Sequence, residues 1–197
     1  MRIQGFVLTG GASRRMGRDK AAIVMSGQTL AQKAVNTLNE FCDEVFTVGG
    51  ESGFSDAQHL IDLETPFAVV GRAAMAGIYT ALRHCTAEYA AILPCDMPNV
   101  SAEVFRILLE KIEAEGDADA AIPLDRAGSS QQVCAVFRPK NCLVVIERLP
   151  TGRTPAVMDM IRELKVRIVD FSEFRHLPSA DSLFANLNRP EDLSVIN

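Results

Sequence analysis

The sequence predicts an α/β fold: a mainly parallel sheet between two layers of helices, a three-layer α/β/α arrangement. Three observations carry this. Short apolar runs alternate with helical patterns along the chain. The runs read as strands buried on both faces, as a sheet covered by helices requires. A loop rich in glycine and arginine directly follows the first run, at the strand end where such folds bind ligands. The 197 residues fit one domain with a substantial core, 1–197, because no internal repeat, low-complexity segment or long linker divides them.

Each element has its own signal. Ile3–Leu8 is a short apolar run that reads as the first strand. Gln28–Glu40 is a helix, with Leu30, Ala34, Val35 and Leu38 on one face. Glu44–Val48 is a second strand, stopped by Gly49-Gly50, and His59–Ile61 is a short third. Met75–His84 is helical and Tyr89–Leu93 is a strand. Ser101–Glu115 is a helix, with Ser101 as N-cap and Glu103 in the electropositive first turn. Ala118–Pro123 and Val133–Phe137 read as strands, Asn141–Leu149 and Pro155–Leu164 as helices, and Arg167–Val169 as the last strand.

Composition narrows the function classes. A net charge of −5 argues against broad binding to nucleic acid or anionic membrane. The basic residues near the N-terminus are therefore a local patch, suited to a small anion. The five cysteines, Cys42, Cys85, Cys95, Cys134 and Cys142, form no Cys-x-x-Cys pair. Neither a disulfide framework nor a zinc site is expected, and buried thiols in a reducing cytoplasm are. His59, His84 and His176 are far apart and match no metal-ligand spacing. The apolar start is short and runs straight into the Gly/Arg loop, so no secretory leader is expected, and no run approaches membrane-spanning length.

The most informative segment is Leu8-Thr9-Gly10-Gly11-Ala12-Ser13-Arg14-Arg15-Met16-Gly17-Arg18-Asp19-Lys20. Glycines bring backbone N–H groups close to a ligand, and Lys and Arg supply charge for phosphate oxygens. The spacing is neither that of a Walker loop nor that of a dinucleotide fingerprint. The bland alternative is a solvated Gly/Arg turn. A second segment, Pro94-Cys95-Asp96-Met97-Pro98, ends a buried strand and is stiffened by two prolines. It holds Asp96 on the same sheet edge, where a carboxylate suits magnesium; a turn aspartate is the plain alternative. A third segment, Phe184-Ala185-Asn186-Leu187-Asn188-Arg189-Pro190-Glu191-Asp192-Leu193, sets Asn186 and Asn188 on one side of an extended run. Its Asp192 reads as part of a short helix started by Arg189 and Pro190.

These three motifs, in this order from Leu8 to Leu193, resemble those of the molybdenum cofactor guanylyltransferases, the MobA family. The resemblance implies a Rossmann-like nucleotidyltransferase fold. It also implies transfer of GMP from GTP to the terminal phosphate of molybdopterin, with release of pyrophosphate. Lys20 and Arg15 would neutralise the triphosphate, and the backbone at Gly10, Gly11 and Ser13 would cradle it. Leu8 and Thr9 would border the base, and Asp62 falls where an aspartate near the guanine is expected. Asp96 would bind Mg2+, and the Asn186 and Asn188 amides would ligate Mg2+ or bond a phosphate or the pterin. Transient contact with other molybdenum cofactor biosynthesis or acceptor proteins is implied too.

The chain departs from the family pattern at several positions. Gly49-Gly50 stand where an asparagine is common. Gly71-Arg72-Ala73-Ala74-Met75-Ala76-Gly77 replaces Gly-Pro-Leu-Ala-Gly, with only Ala76-Gly77 matching; Arg72 reads as a surface charge. Gln132 stands in place of a proline in Ser130-Gln131-Gln132. A cytidylyltransferase for the same cofactor, a transferase acting on a sugar or alcohol phosphate, and a non-catalytic nucleotide-binding regulator are the rival expectations.

Overall fold

The computed structural model describes residues 2–10, 19–67 and 74–187. In chain order its strands are β1 (Ile3–Leu8), β2 (Val24–Met25), β3 (Gln28–Thr29), β4 (Glu44–Val48), β5 (Gln58–Leu60), β6 (Tyr89–Pro94), β7 (Ala120–Pro123), β8 (Ala135–Phe137) and β9 (Val166–Val169). The helices are α1 (Leu30–Asn39), α2 (Ala74–His84), α3 (Ala102–Glu115), α4 (Pro139–Ile146) and α5 (Val157–Ile161).

Seven strands form one sheet in the order β5-β4-β1-β6-β8-β7-β9, while β2 and β3 form a separate small hairpin. Within the large sheet β8 runs antiparallel to both neighbours, and the other pairs are parallel. The carboxyl ends of β1, β4, β5 and β6 therefore share one edge. From β1 the chain steps outward to β4 and β5, then crosses back to β6 on the other side of β1. The order reverses between β1 and β6, which is where an open α/β sheet leaves a crevice for ligands.

Alternation along the strands divides the core in two. Ile3 and Val7 of β1 join one buried cluster, with Leu30, Val35 and Leu38 of α1 and Phe105, Leu108 and Ile112 of α3. Phe6 and Leu8 join the other, with Met75, Ile78 and Leu82 of α2 and Cys142 and Ile146 of α4. This is the expected three-layer architecture. Gln4 is the polar exception in β1, 3% exposed. Its Oε1 accepts from the backbone N–H groups of Thr86 (2.7 Å) and Ala87 (3.2 Å), and its Nε2 donates to Glu44 (2.6 Å). A buried amide is tolerable because it closes the turn before β6.

Several boundaries differ from the sequence reading, each for a local reason. The first helix starts at Leu30, not Gln28, because Gln28 and Thr29 pair with β2 across Ser26 and Gly27, at φ 52° and 80°. The Thr29 hydroxyl then caps α1 by accepting from Gln32 N at 3.0 Å. Ser101 holds the N-cap position of α3, but its hydroxyl makes no capping bond. The helix expected over Asn141–Leu149 starts earlier, with Pro139 in its first turn, where the missing N–H costs nothing. The one expected over Pro155–Leu164 shrinks to α5, because Glu163 and Leu164 bond three residues back, to Met160 and Ile161, and so tighten the tail. Among the described residues no helix is long and apolar enough to cross a membrane.

Candidate active site

The exit of β1 is tied to the exit of β4. Thr9 N–H donates to the Val48 carbonyl at 3.0 Å, and its hydroxyl lies against the carbonyls of Val48 (3.1 Å) and Gly49. Thr9 is buried, and its side chain fixes the loop. Gly49 and Gly50 follow with φ of 70° and 67°, a conformation costly for any residue with a Cβ. Space explains the rest of the requirement. A Cβ on Gly50 would lie 2.8 Å from the Thr9 carbonyl oxygen, and one on Gly49 would lie 3.0 Å from an Asp62 carboxylate oxygen. Asp62, just past β5, thus leans over Gly49. Leu8, Gly10, Val48, Gly49, Asp62, Ala74 and Gly77 line a shallow cleft. Ala74 and Gly77 stand one turn apart on α2, and their small size keeps the cleft open.

The exit of β6 supplies the opposite wall. Cys95 N–H donates to the Leu8 carbonyl at 3.1 Å, so the turn carrying Asp96 is pinned to β1. The Asp96 carbonyl accepts from Leu187 N at 2.8 Å, which draws the C-terminal segment, and with it exposed Asn186, to the same place. That segment is fastened further by Asn99 Nδ2, which donates to Ser182 Oγ at 2.9 Å, and by an Arg126–Asp181 ion pair at 2.6 Å.

Lys20 reaches Asp96 from the far end of the β1 loop, with Nζ 2.8 Å from Oδ2. Their side chains are 18% and 21% exposed, so the pair is sheltered from solvent screening in a way surface pairs are not. Lys20 opens a single 3-10 turn whose N-cap is Asp19; Asp19 Oδ1 accepts from Ala21 N at 3.0 Å, and fully buried Ala21 anchors the turn. Cys95, next to Asp96 in sequence, is buried. Burial, then the charges of Asp96 and Asp19, push its thiol far up, so it stays protonated and serves packing. Among the described residues no three His, Cys, Asp or Glu side chains group into a metal cage.

The structure therefore brings Leu8, Gly10, Lys20, Asp62 and Asp96 to one sheet edge, with Thr9 beneath them and Asn186 beside them. Gly11, Ser13, Arg15 and Asn188 lie outside the described residues. The sequence reading did not single out Val48 or Ala74 as lining residues, nor Asn99 as a fastener, and it had Gly77 only as a match to the family's Gly-Pro-Leu-Ala-Gly segment. The pair of glycines after a strand was the one signal for the cleft floor. The span of the site follows from strand spacing: from β5 to β6 is three steps of about 4.8 Å, or ~14 Å.

A sheet of this order, with basic and acidic side chains meeting where the order reverses, places the molecule among the α/β nucleotidyltransferases. Residues 5–168 match the family model of the MobA-like NTP transferase domain. The chain belongs to that family. It is 30% identical over 193 residues to a protein of Pelotomaculum thermopropionicum named a probable molybdenum cofactor guanylyltransferase, with 96% of this chain and 89% of that protein covered. A protein of the same name from Halalkalibacterium halodurans is 28% identical over 193 residues, covering 96% and 95%. In fold, the chain is similar to the crystal structure of molybdopterin-guanine dinucleotide biosynthesis protein A from Archaeoglobus fulgidus. The TM-score is 0.78 at 24% identity, over 98% of this chain and 96% of that one.

Proposed function

We propose that the protein transfers GMP from GTP to the terminal phosphate of molybdopterin and releases pyrophosphate. One observation supports this above the others: Lys20 and Asp96 meet at 2.8 Å over the point where the strand order reverses, beside a cleft floored by glycines. An acceptor oxygen attacks the α-phosphorus, and the bond from that phosphorus to the pyrophosphate oxygen breaks. The acceptor is a phosphate monoester with a second pKa of roughly 6, already mostly dianionic at neutral pH, so it needs no general base. The barrier is repulsion and misalignment between anions, and catalysis is positioning with charge neutralisation.

Each residue then has a part. Lys20 binds phosphate oxygens and offsets their charge. Gly10 lets the backbone approach the nucleotide. Asp62 accepts from the adjacent N–H donors on guanine's Watson–Crick edge, which a carboxylate matches and cytosine's ring nitrogen does not. Arg15, Gly11, Ser13 and Asn188 are assigned to the phosphate and acceptor contacts by family pattern, and Asn186 stands by Asp96 for the same purpose.

The donor set also fits Mg2+. That ion is commonly held by one or two carboxylates together with substrate phosphates and water rather than by an all-protein cage, and Asp96 is such a carboxylate. When bound there, Mg2+ neutralises charge on the phosphates. Asp96 would hold it, and the β6 turn fixes Asp96.

Pyrophosphate release from GTP, CTP, ATP and UTP, each with molybdopterin and Mg2+, tests the reading. Turnover with GTP is expected. Turnover with CTP instead would establish the cytidylyl reading, and binding of nucleotide without turnover would establish the regulator.

A further inference from the structure

We infer that Lys20 is an interlock on Asp96: its ammonium group pairs with the carboxylate that would hold the metal, so a divalent cation is admitted only together with nucleotide phosphates that draw the ammonium away. The inference rests on the nucleotidyltransferase reading above and adds an order of events to it.

The pair is built rather than accidental. Both partners are about four-fifths buried, so their attraction is not dispersed by salt as that of a surface pair would be. Both backbones are fastened independently of the pair. Asp19 and buried Ala21 hold the turn that presents Lys20, and the bonds from Cys95 to Leu8 and from Leu187 to Asp96 hold the other side. Two side chains 76 residues apart in sequence thus meet at 2.8 Å.

Consider a bare divalent cation approaching this site. It meets a carboxylate whose charge is already balanced, and an ammonium group that repels it. A nucleotide triphosphate changes both terms. Its oxygens draw the ammonium away from Asp96, and they complete the cation's oxygen shell. By linkage, nucleotide must tighten cation binding by the same factor as cation tightens nucleotide binding. After transfer, loss of pyrophosphate removes what held Lys20 away. The ammonium then returns to Asp96 and expels the cation, which resets the site.

The test is binding of Mn2+, followed by its electron paramagnetic resonance signal, with and without GTP. In the unaltered protein Mn2+ alone should bind weakly, and GTP should tighten it at least about tenfold, a difference of about 1.4 kcal/mol. Lys20→Met should bind Mn2+ alone about tenfold more tightly than the unaltered protein and lose most of the gain from GTP. Lys20→Arg, which keeps the charge, should retain the weak binding of Mn2+ alone. Asp96→Asn should lose binding in both conditions. If Lys20→Met and the unaltered protein bind Mn2+ alone equally, while GTP still tightens Mn2+ in the latter, the interlock is wrong and the transferase reading stands. If GTP never affects Mn2+ binding and Asp96→Asn changes nothing, both fall.

Discussion

Two neighbouring glycines with nearly the same backbone conformation offer a test of how closely the site is packed. Gly49 and Gly50 have φ of 70° and 67°, so an alanine at either pays the same left-handed penalty of about 1–2 kcal/mol. What the new methyl meets is different. At Gly49 it meets an Asp62 carboxylate oxygen at 3.0 Å, the end of a side chain that can swing aside. At Gly50 it meets the Thr9 carbonyl oxygen at 2.8 Å, and Thr9 is held by its own bonds to Val48 and cannot yield cheaply. Overpacking against a fixed backbone costs about 1–3 kcal/mol more. Gly27, at φ 80° with nothing within 4 Å of its Cβ direction, isolates the backbone part. Alanine also stiffens the unfolded chain at every position, a gain of roughly 0.4–1 kcal/mol common to all three. The expected net losses are about 1 kcal/mol for Gly27→Ala, about 1.5 for Gly49→Ala and about 3 for Gly50→Ala. Urea unfolding at equal m-value measures them. If Gly50→Ala fell within about 0.5 kcal/mol of Gly27→Ala, the close approach of Thr9 to Gly50 would be refuted.

Three further outcomes are expected. Gln4→Leu strips the acceptor from two backbone N–H groups and should lower unfolding free energy by about 2–4 kcal/mol; a loss under about 0.5 kcal/mol would mean that water replaces the amide without cost. Asp62→Asn should reduce kcat/KM for GTP roughly 10- to 100-fold and blunt the enzyme's preference for GTP over inosine triphosphate, which lacks one guanine donor; an undiminished preference would take Asp62 off the base. Burial pushes the thiols of Cys42 and Cys85 up to about 12 and about 11. Above about pH 8.5 the unfolded chain releases protons that the fold retains, so stability should decline as pH rises from there toward those values. The decline should be shallower in a variant carrying serine at both positions, and an identical pH profile would contradict the burial argument.

What could be read in the sequence was what local chemistry dictates. β1 and β6 are legible because each is a mostly apolar run, β4 because a short apolar stretch is stopped by Gly49-Gly50, and α1 and α3 because their apolar residues recur at helical spacing. The end of α1 near Thr29 was obscured, since a threonine serves equally as a strand partner and as a cap. The motifs announced Lys20, Asp62 and Asp96 as separate candidates. That Lys20 and Asp96 share a sheet edge was read from the motifs; their 2.8 Å contact was not legible, because it depends on β1 pairing with β6, a relation no local pattern encodes. The reversed direction of β8 and the fastening of the C-terminal segment by Asn99 are likewise products of tertiary packing.

The central pairing of β1 with β6 joins Ile3 to Tyr89, so the middle of the sheet closes only after much of the chain has left the ribosome. Contacts so distant in sequence form slowly, since a long loop must be ordered before they repay it. An emerging chain can fold β1, α1 and β4 against one another, yet the Asp96 side of the crevice does not exist until β6 docks. Incomplete chains thus carry the glycine-rich loop without the means to complete the site around it. Nascent fragments should stay indifferent to Mg2+-nucleotide in the cell, and the ligand should stabilise only chains that have finished folding.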